Sequence, residues 1–114
     1  MSAPLALTVE DSTDQSALLR LLLEREGFEV FATADAESAI AAFAEISPSL
    51  AIIDLRLPGL TGEECSQRLR ERFPDCFIVI SSVLDPADYP EADAALPKPV
   101  TSAAVHELVV GLAA

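Results

Sequence analysis

Basic residues are scarce in this chain: six arginines and a single lysine, Lys98, stand against 19 acidic residues in 114, leaving a formal net charge of −12. A surface of that sign repels phosphate backbones and anionic headgroups, which argues against direct nucleic-acid or membrane binding, since both depend on clustered Lys and Arg. The expected partner is a protein or a cation. Long apolar runs are missing as well. None approaches the roughly 20 residues needed to span a bilayer, and Met1-Ser-Ala-Pro4 opens without the basic flank and apolar stretch of a secretory leader. The expectation is a cytoplasmic protein. The two cysteines, Cys65 and Cys76, are eleven positions apart. They match neither a metal-type spacing nor a disulfide-dense scaffold and read as reduced, structural thiols. His106, the only histidine, lies beside an apolar stripe and reads as a surface or packing residue. Repeats, linkers and low-complexity tracts are absent, and 51% hydrophobic residues are enough for one core, so residues 1–114 are expected to form a single domain.

What is present is an alternation of strand and helix. Leu5–Val9 is an apolar run of strand length that stops abruptly at Glu10 and Asp11. A helical pattern follows from Asp14 to Glu26, with Gly27 where a left-handed cap would fall. Phe28–Ala32 alternates with period two. An alanine-rich helix is expected from Asp35 to Ile46, with Ile40, Phe43 and Ala44 on its inner face and Ser47-Pro48 as its stop. Leu50–Asp54 repeats the first theme, an apolar run ending in a carboxylate. Pro58, Gly59 and Gly62 mark a loop, and a helix is expected from Gly62 to Phe73 with Cys65, Leu69 and Phe73 on one face. Its Arg68, Arg70 and Arg72 read as a solvated face pairing with Glu64 and Glu71. Phe77–Ser81 is a further strand, Val83–Asp93 an irregular stretch broken by Pro86 and Pro90, and Ala94–Pro97 a weak last strand. Thr101 is positioned to cap a final helix with Val105, Leu108, Val109 and Leu112 inward. Short apolar strands alternating with helices predict a doubly wound α/β fold: a five-stranded parallel sheet with helices on both faces.

In such sheets ligands bind beyond the carboxyl ends of the strands. Here those ends carry Glu10 and Asp11, Asp54, Ser81 and Lys98. Carboxylates gathered closely repel one another unless one is protonated or a cation joins them. Mg²⁺ answers this best, because it prefers oxygen ligands in octahedral geometry and keeps several waters. Asp54 is then a nucleophile able to form an acyl phosphate, with the Lys98 ammonium and the Ser81 hydroxyl placed to meet phosphoryl oxygens.

At this point the chain resembles the receiver domains of two-component response regulators. The likeness rests on Glu10-Asp11 after the first strand, Asp54-Leu-Arg-Leu-Pro58 with Gly62 eight beyond the aspartate, Ser81 ending the fourth strand, and Lys98-Pro99 after the fifth. The resemblance implies a flavodoxin-like fold and phosphoryl transfer to Asp54 from a histidine kinase or histidine phosphotransfer protein, followed by signalling to an output protein or domain. It implies Mg²⁺ held by Asp11, Asp54 and the backbone carbonyl of Arg56, with Glu10 acting mainly through metal-bound water. Lys98 would contact the phosphoryl group and precede a cis bond to Pro99. Ser81 would be the switch hydroxyl, leaving Ser82 at the family's small-residue position. Such a domain catalyses its own phosphorylation and dephosphorylation without being a conventional turnover enzyme.

Two departures stand out. The family's aromatic residue three positions before the lysine is replaced by Ala95, and Lys98 lies only 17 positions after Ser81. This interval is shorter than usual and implies that the helix between the fourth and fifth strands is short or absent. Any signal is then expected to pass through the 83–93 segment, where Tyr89 is the only aromatic residue, or through a partner at the active-site edge. The alternative reading is a pseudo-receiver that binds partners without phosphorylation. A metal-dependent hydrolase ranks last, since Arg56 occupies the place where a second acid would be needed two residues beyond Asp54.

Overall fold

A computed structural model of the chain describes residues 3–56, 59–84 and 92–113. The elements are β1 (Leu5–Val9), α1 (Thr13–Arg25), β2 (Glu29–Thr33), α2 (Ala36–Ala41), β3 (Leu50–Asp54), α3 (Gly62–Arg72), β4 (Phe77–Ser82), β5 (Ala94–Pro97) and α4 (Ser102–Ala113). All five strands are parallel, in the order β2-β1-β3-β4-β5. Pro58 and most of the stretch between β4 and β5, with Pro86, Tyr89 and Pro90, lie outside the described residues. The expectation of a short or absent helix there lies outside them too.

Strand parity sorts the core into two layers. Leu7, Val9, Ala51, Ile53, Ile78 and Ile80 face α2 and α3, whose Ala36, Ala39, Cys65 and Leu69 are buried against them. Ala6, Leu50, Ile52, Val79 and Leu96 face α1 and α4 through Leu19, Leu22, Leu23 and Val105. Both faces of the central strands are therefore dry, as a parallel sheet requires. The cysteines are free and buried, and burial pushes both thiols up to about 11, as inert packing groups.

Local chemistry sets the element ends. Ser12 caps α1, accepting a hydrogen bond from the Gln15 N–H. At the other end Gly27, at φ 93°, lets the Gly27 N–H reach Glu24 O at 3.0 Å and the Phe28 N–H reach Leu23 O at 3.1 Å, a Schellman closure. Helix α2 stops at Ala41, short of the expected Ile46. Its last turns tighten to three-residue hydrogen bonds, Ala42 N–H to Ala39 O and Phe43 N–H to Ile40 O, both 3.1 Å. The tightening leaves Phe43 buried and Ala44 exposed, while Ala36 and Ala39 take the inner face. The Lys98–Pro99 bond is cis. His106 is surface-exposed, its Nδ1 2.9 Å from Glu26 Oε1.

Candidate functional site

Register brings the site together. Asp54 is the last residue of β3 and pairs laterally with Ser81 on β4, so the two side chains share the face packed by α1 and α4. Ser82 takes the opposite parity, and its Oγ accepts the Leu84 N–H at 3.2 Å. Glu10 follows β1 immediately, with its N–H bonded to Thr33 O at 3.0 Å, so β2 fixes the backbone from which Glu10 projects. Lys98 follows β5, and its N–H continues the ladder to Ser82 O at 2.9 Å.

The lone lysine is held by two acids. Lys98 Nζ donates to Glu10 Oε1 at 2.6 Å and to Asp54 Oδ2 at 3.2 Å. The remaining carboxylate oxygens are occupied by backbone: Glu10 Oε2 accepts the Ser12 N–H and Asp54 Oδ1 accepts the Arg56 N–H, each at 3.0 Å. Glu10 is 3% exposed and Asp54 7%, whereas Asp11 and Arg56 are exposed. Ser81 is 1% exposed, and its Oγ finds no hydrogen-bond partner among the described residues. A buried hydroxyl without a partner costs free energy unless something else engages it.

Charge is unbalanced here. Glu10, Asp11 and Asp54 each offer a carboxylate oxygen, all within 4.8 Å of one another. Burial pushes the Glu10 carboxyl above its ordinary range, and the neighbouring Asp54 charge adds to that, against the opposing pull of Lys98 and the Ser12 N–H. Burial alone would lower Lys98, but its hydrogen bond to Glu10 and the charges of Asp54 and Glu10 outweigh it and hold the ammonium above its ordinary value. Three hard oxygen donors around a partly open edge match the ligand preferences of Mg²⁺.

The structure thus gathers Glu10, Asp11, Asp54, Ser81 and Lys98 at one sheet edge, with Arg56 at the start of the next loop. Glu10 contacts Lys98 directly, beside the water-mediated metal contact that the resemblance implies for it. Arg70 does not pair with Glu64 or Glu71. It reaches Asp93 Oδ2 at 2.6 Å and Cys76 O at 3.1 Å. The Glu10–Lys98 and Arg70–Asp93 contacts join residues far apart in the chain, which no helical or strand spacing reports.

A parallel sheet in this strand order, with acids and one lysine beyond its carboxyl ends, defines a doubly wound protein of flavodoxin-like, receiver type. The chain belongs to the response regulator receiver domain family, whose pattern matches residues 6–109. It is 38% identical over 66 residues to the sensory transduction protein RegX3 of Mycolicibacterium smegmatis, an alignment covering 58% of this chain and 29% of that protein. It is 44% identical over 69 residues to the phosphate regulon transcriptional regulatory protein PhoB of Rhizobium meliloti, covering 60% of this chain and 30% of that protein. The chain therefore spans about a third of the length of the curated relatives it matches. Among solved structures, the chemotaxis response regulator CheY4 of Vibrio cholerae superposes with a TM-score of 0.88 at 21% identity, covering 97% of this chain and 99% of that one. The response regulator TrrA of Thermotoga maritima, solved in complex with Mg²⁺-BeF, superposes at 0.86 with 26% identity, covering 96% and 98%. Among the described residues no helix is long and apolar enough to cross a membrane.

Proposed function

We propose that residues 1–114 act as one phosphoaccepting receiver unit of a two-component pathway, in which Asp54 takes a phosphoryl group from the phosphohistidine of a histidine kinase or phosphotransfer protein. The observation that carries this reading is the convergence of Asp54, Lys98, Glu10 and Asp11 on one sheet edge, with the buried Ser81 hydroxyl, unpartnered among the described residues, beside the acceptor.

An Asp54 carboxylate oxygen would attack phosphorus as the P–N bond to the donor imidazole breaks, and the imidazole leaves with a proton from solvent. The Arg56 N–H on Oδ1 and Lys98 on Oδ2 orient the carboxylate beforehand, so little reorganisation is left for the reaction. Lys98 lies where it can move from Asp54 to a phosphoryl oxygen, and a compact ammonium serves one oxygen better than a guanidinium fork does. The Ser81 hydroxyl would gain the partner it lacks among the described residues. Mg²⁺, held by Asp11, Asp54 and the Arg56 carbonyl, with Glu10 at its edge, would neutralise charge on the transferring group. TrrA, solved with Mg²⁺-BeF, supports the metal by likeness. RegX3 and PhoB are named for sensory transduction and transcriptional regulation, so the phosphorylated domain is read as signalling to an output protein or domain. The acidic surface speaks against nucleic-acid contact by this domain itself.

Incubation with Mg²⁺ and acetyl phosphate tests the reading by intact mass. A one-phosphate gain in the wild type that is lost in Asp54→Asn and in EDTA is expected. No gain with any donor or kinase would instead assign a phosphorylation-independent pseudo-receiver, a reading that Ala95, exposed on β5 where the family carries a ring, favours.

A further inference from the structure

Gly62 is the first residue of α3 and is buried. The left-handed glycines among the described residues are Gly27 and Gly59, so Gly62 is not required by backbone conformation. It is required by space. A Cβ built on Gly62 would overlap the Asp54 carbonyl oxygen and lie 2.9 Å from Leu55 Cα and 3.1 Å from the Asp54 carbonyl carbon. These neighbours are backbone, which cannot turn aside as a side chain can.

Neither side of this contact is free to retreat. The Asp54–Leu55 peptide is planar, so its two ends move together. Its N–H end is bonded to Ser81 O at 3.1 Å, and the next N–H, of Arg56, to Asp54 Oδ1 at 3.0 Å. On the helix side, Thr61 caps α3 by accepting the Glu64 N–H at 3.1 Å, and Cys65 and Leu69, both fully buried, anchor the following turns in the core. A methyl group at position 62 must therefore displace the acceptor's peptide or lift the helix start.

We propose that the start of α3, seated on the Asp54 carbonyl through Gly62, positions the phosphoacceptor and the loop that carries Arg56. Gly62 is a positioning residue that acts through Asp54. Its part in phosphoryl transfer rests on the reading given above.

The test compares Gly62→Ala with Gly27→Ala, which is strained by its φ of 93° but has no heavy atom within 4 Å of the added Cβ. Both are studied at a temperature where circular dichroism shows them folded. The readouts are amide exchange at Leu55 and Arg56 without metal, Mg²⁺ affinity by calorimetry, and the rate of phosphate gain from acetyl phosphate. Gly62→Ala should lower affinity and rate on the order of 10- to 100-fold, the scale of a misplaced reacting group, and should speed exchange at both amides. Gly27→Ala should leave all three near wild type. If Gly62→Ala tracks Gly27→Ala or the wild type in every readout, the proposal is overturned. Should Gly62→Ala fail to fold, Thr61→Ala loosens the helix start without adding an atom: a smaller loss in the same three readouts supports the proposal, and no change overturns it. If the wild type itself neither binds Mg²⁺ nor takes phosphate, the functional reading has failed, and exchange at Leu55 and Arg56 alone decides the positioning role.

Discussion

Lys98 shares its ammonium between Glu10 at 2.6 Å and Asp54 at 3.2 Å, in an environment that retains only 15% of the lysine side chain's exposure. Removing one partner of a buried ion pair leaves the other charge unanswered. Lys98→Met should therefore destabilise the metal-free domain by about 2 kcal/mol, below the range for fully buried pairs because some water reaches the lysine. Magnesium should recover much of that loss, since a second cation can answer the same carboxylates. The same variant should slow phosphate gain from acetyl phosphate by about 10²-fold, the scale of losing one preorganised charge donor. Thermal melts with and without Mg²⁺, beside intact-mass kinetics, check both. Lys98 titrates above its ordinary value, so its contribution is intact below that value and is lost only as pH rises past the folded one. The wild type should lose this contribution in strongly alkaline solution, and Lys98→Met should lack that loss.

At the scale of elements, the most informative contact is one that spacing did not suggest. Asp93 Oδ2 accepts both the Ile78 N–H at 2.8 Å and Arg70 at 2.6 Å, tying α3 to the start of β4 and to the entry of β5. Burial alone would raise the Asp93 carboxyl, but the Ile78 N–H and Arg70 outweigh it and hold it below its ordinary value. The stability from this group is thus present above the ordinary carboxylate range and is lost as pH falls through the lower, folded value. Asp93→Asn should cost about 1 kcal/mol at neutral pH, discounted for the partial exposure of both partners. As pH falls below the ordinary carboxylate range and through the lower, folded value, the variant's melting temperature should converge with the wild type's, because the wild-type carboxylate then becomes protonated. Elements whose limits follow from abrupt chemistry were legible: β1 and β3 run from Leu5 to Val9 and from Leu50 to Asp54, as their apolar runs do. The end of α2 was not, because nothing local separates an α turn from the tighter turns that place Phe43 in the core.

For the whole molecule, the charge of −12 is a long-range field as well as a solubility term. It attracts divalent cations toward the edge where Glu10, Asp11 and Asp54 meet, and a ligand that binds only the folded chain stabilises it by mass action. The melting temperature should rise with Mg²⁺ concentration, by the equivalent of about 2.7 kcal/mol at a hundred times the dissociation constant. Asp11→Asn should flatten that dependence without lowering the metal-free melting temperature, because Asp11 is exposed. A wild-type melt that ignores Mg²⁺ would count against the metal site.

The alternation of strands and helices, the carboxylates at the strand ends and the place of the one lysine are all readable along the chain. These are local properties of period, capping and composition. Folding of the whole chain brings Glu10 to a lysine 88 positions away, Arg70 to Asp93, and Gly62 against the Asp54 carbonyl. Each depends on lateral register and on how closely a helix packs onto a loop, and those distances are set by the whole core rather than by any stretch of chain.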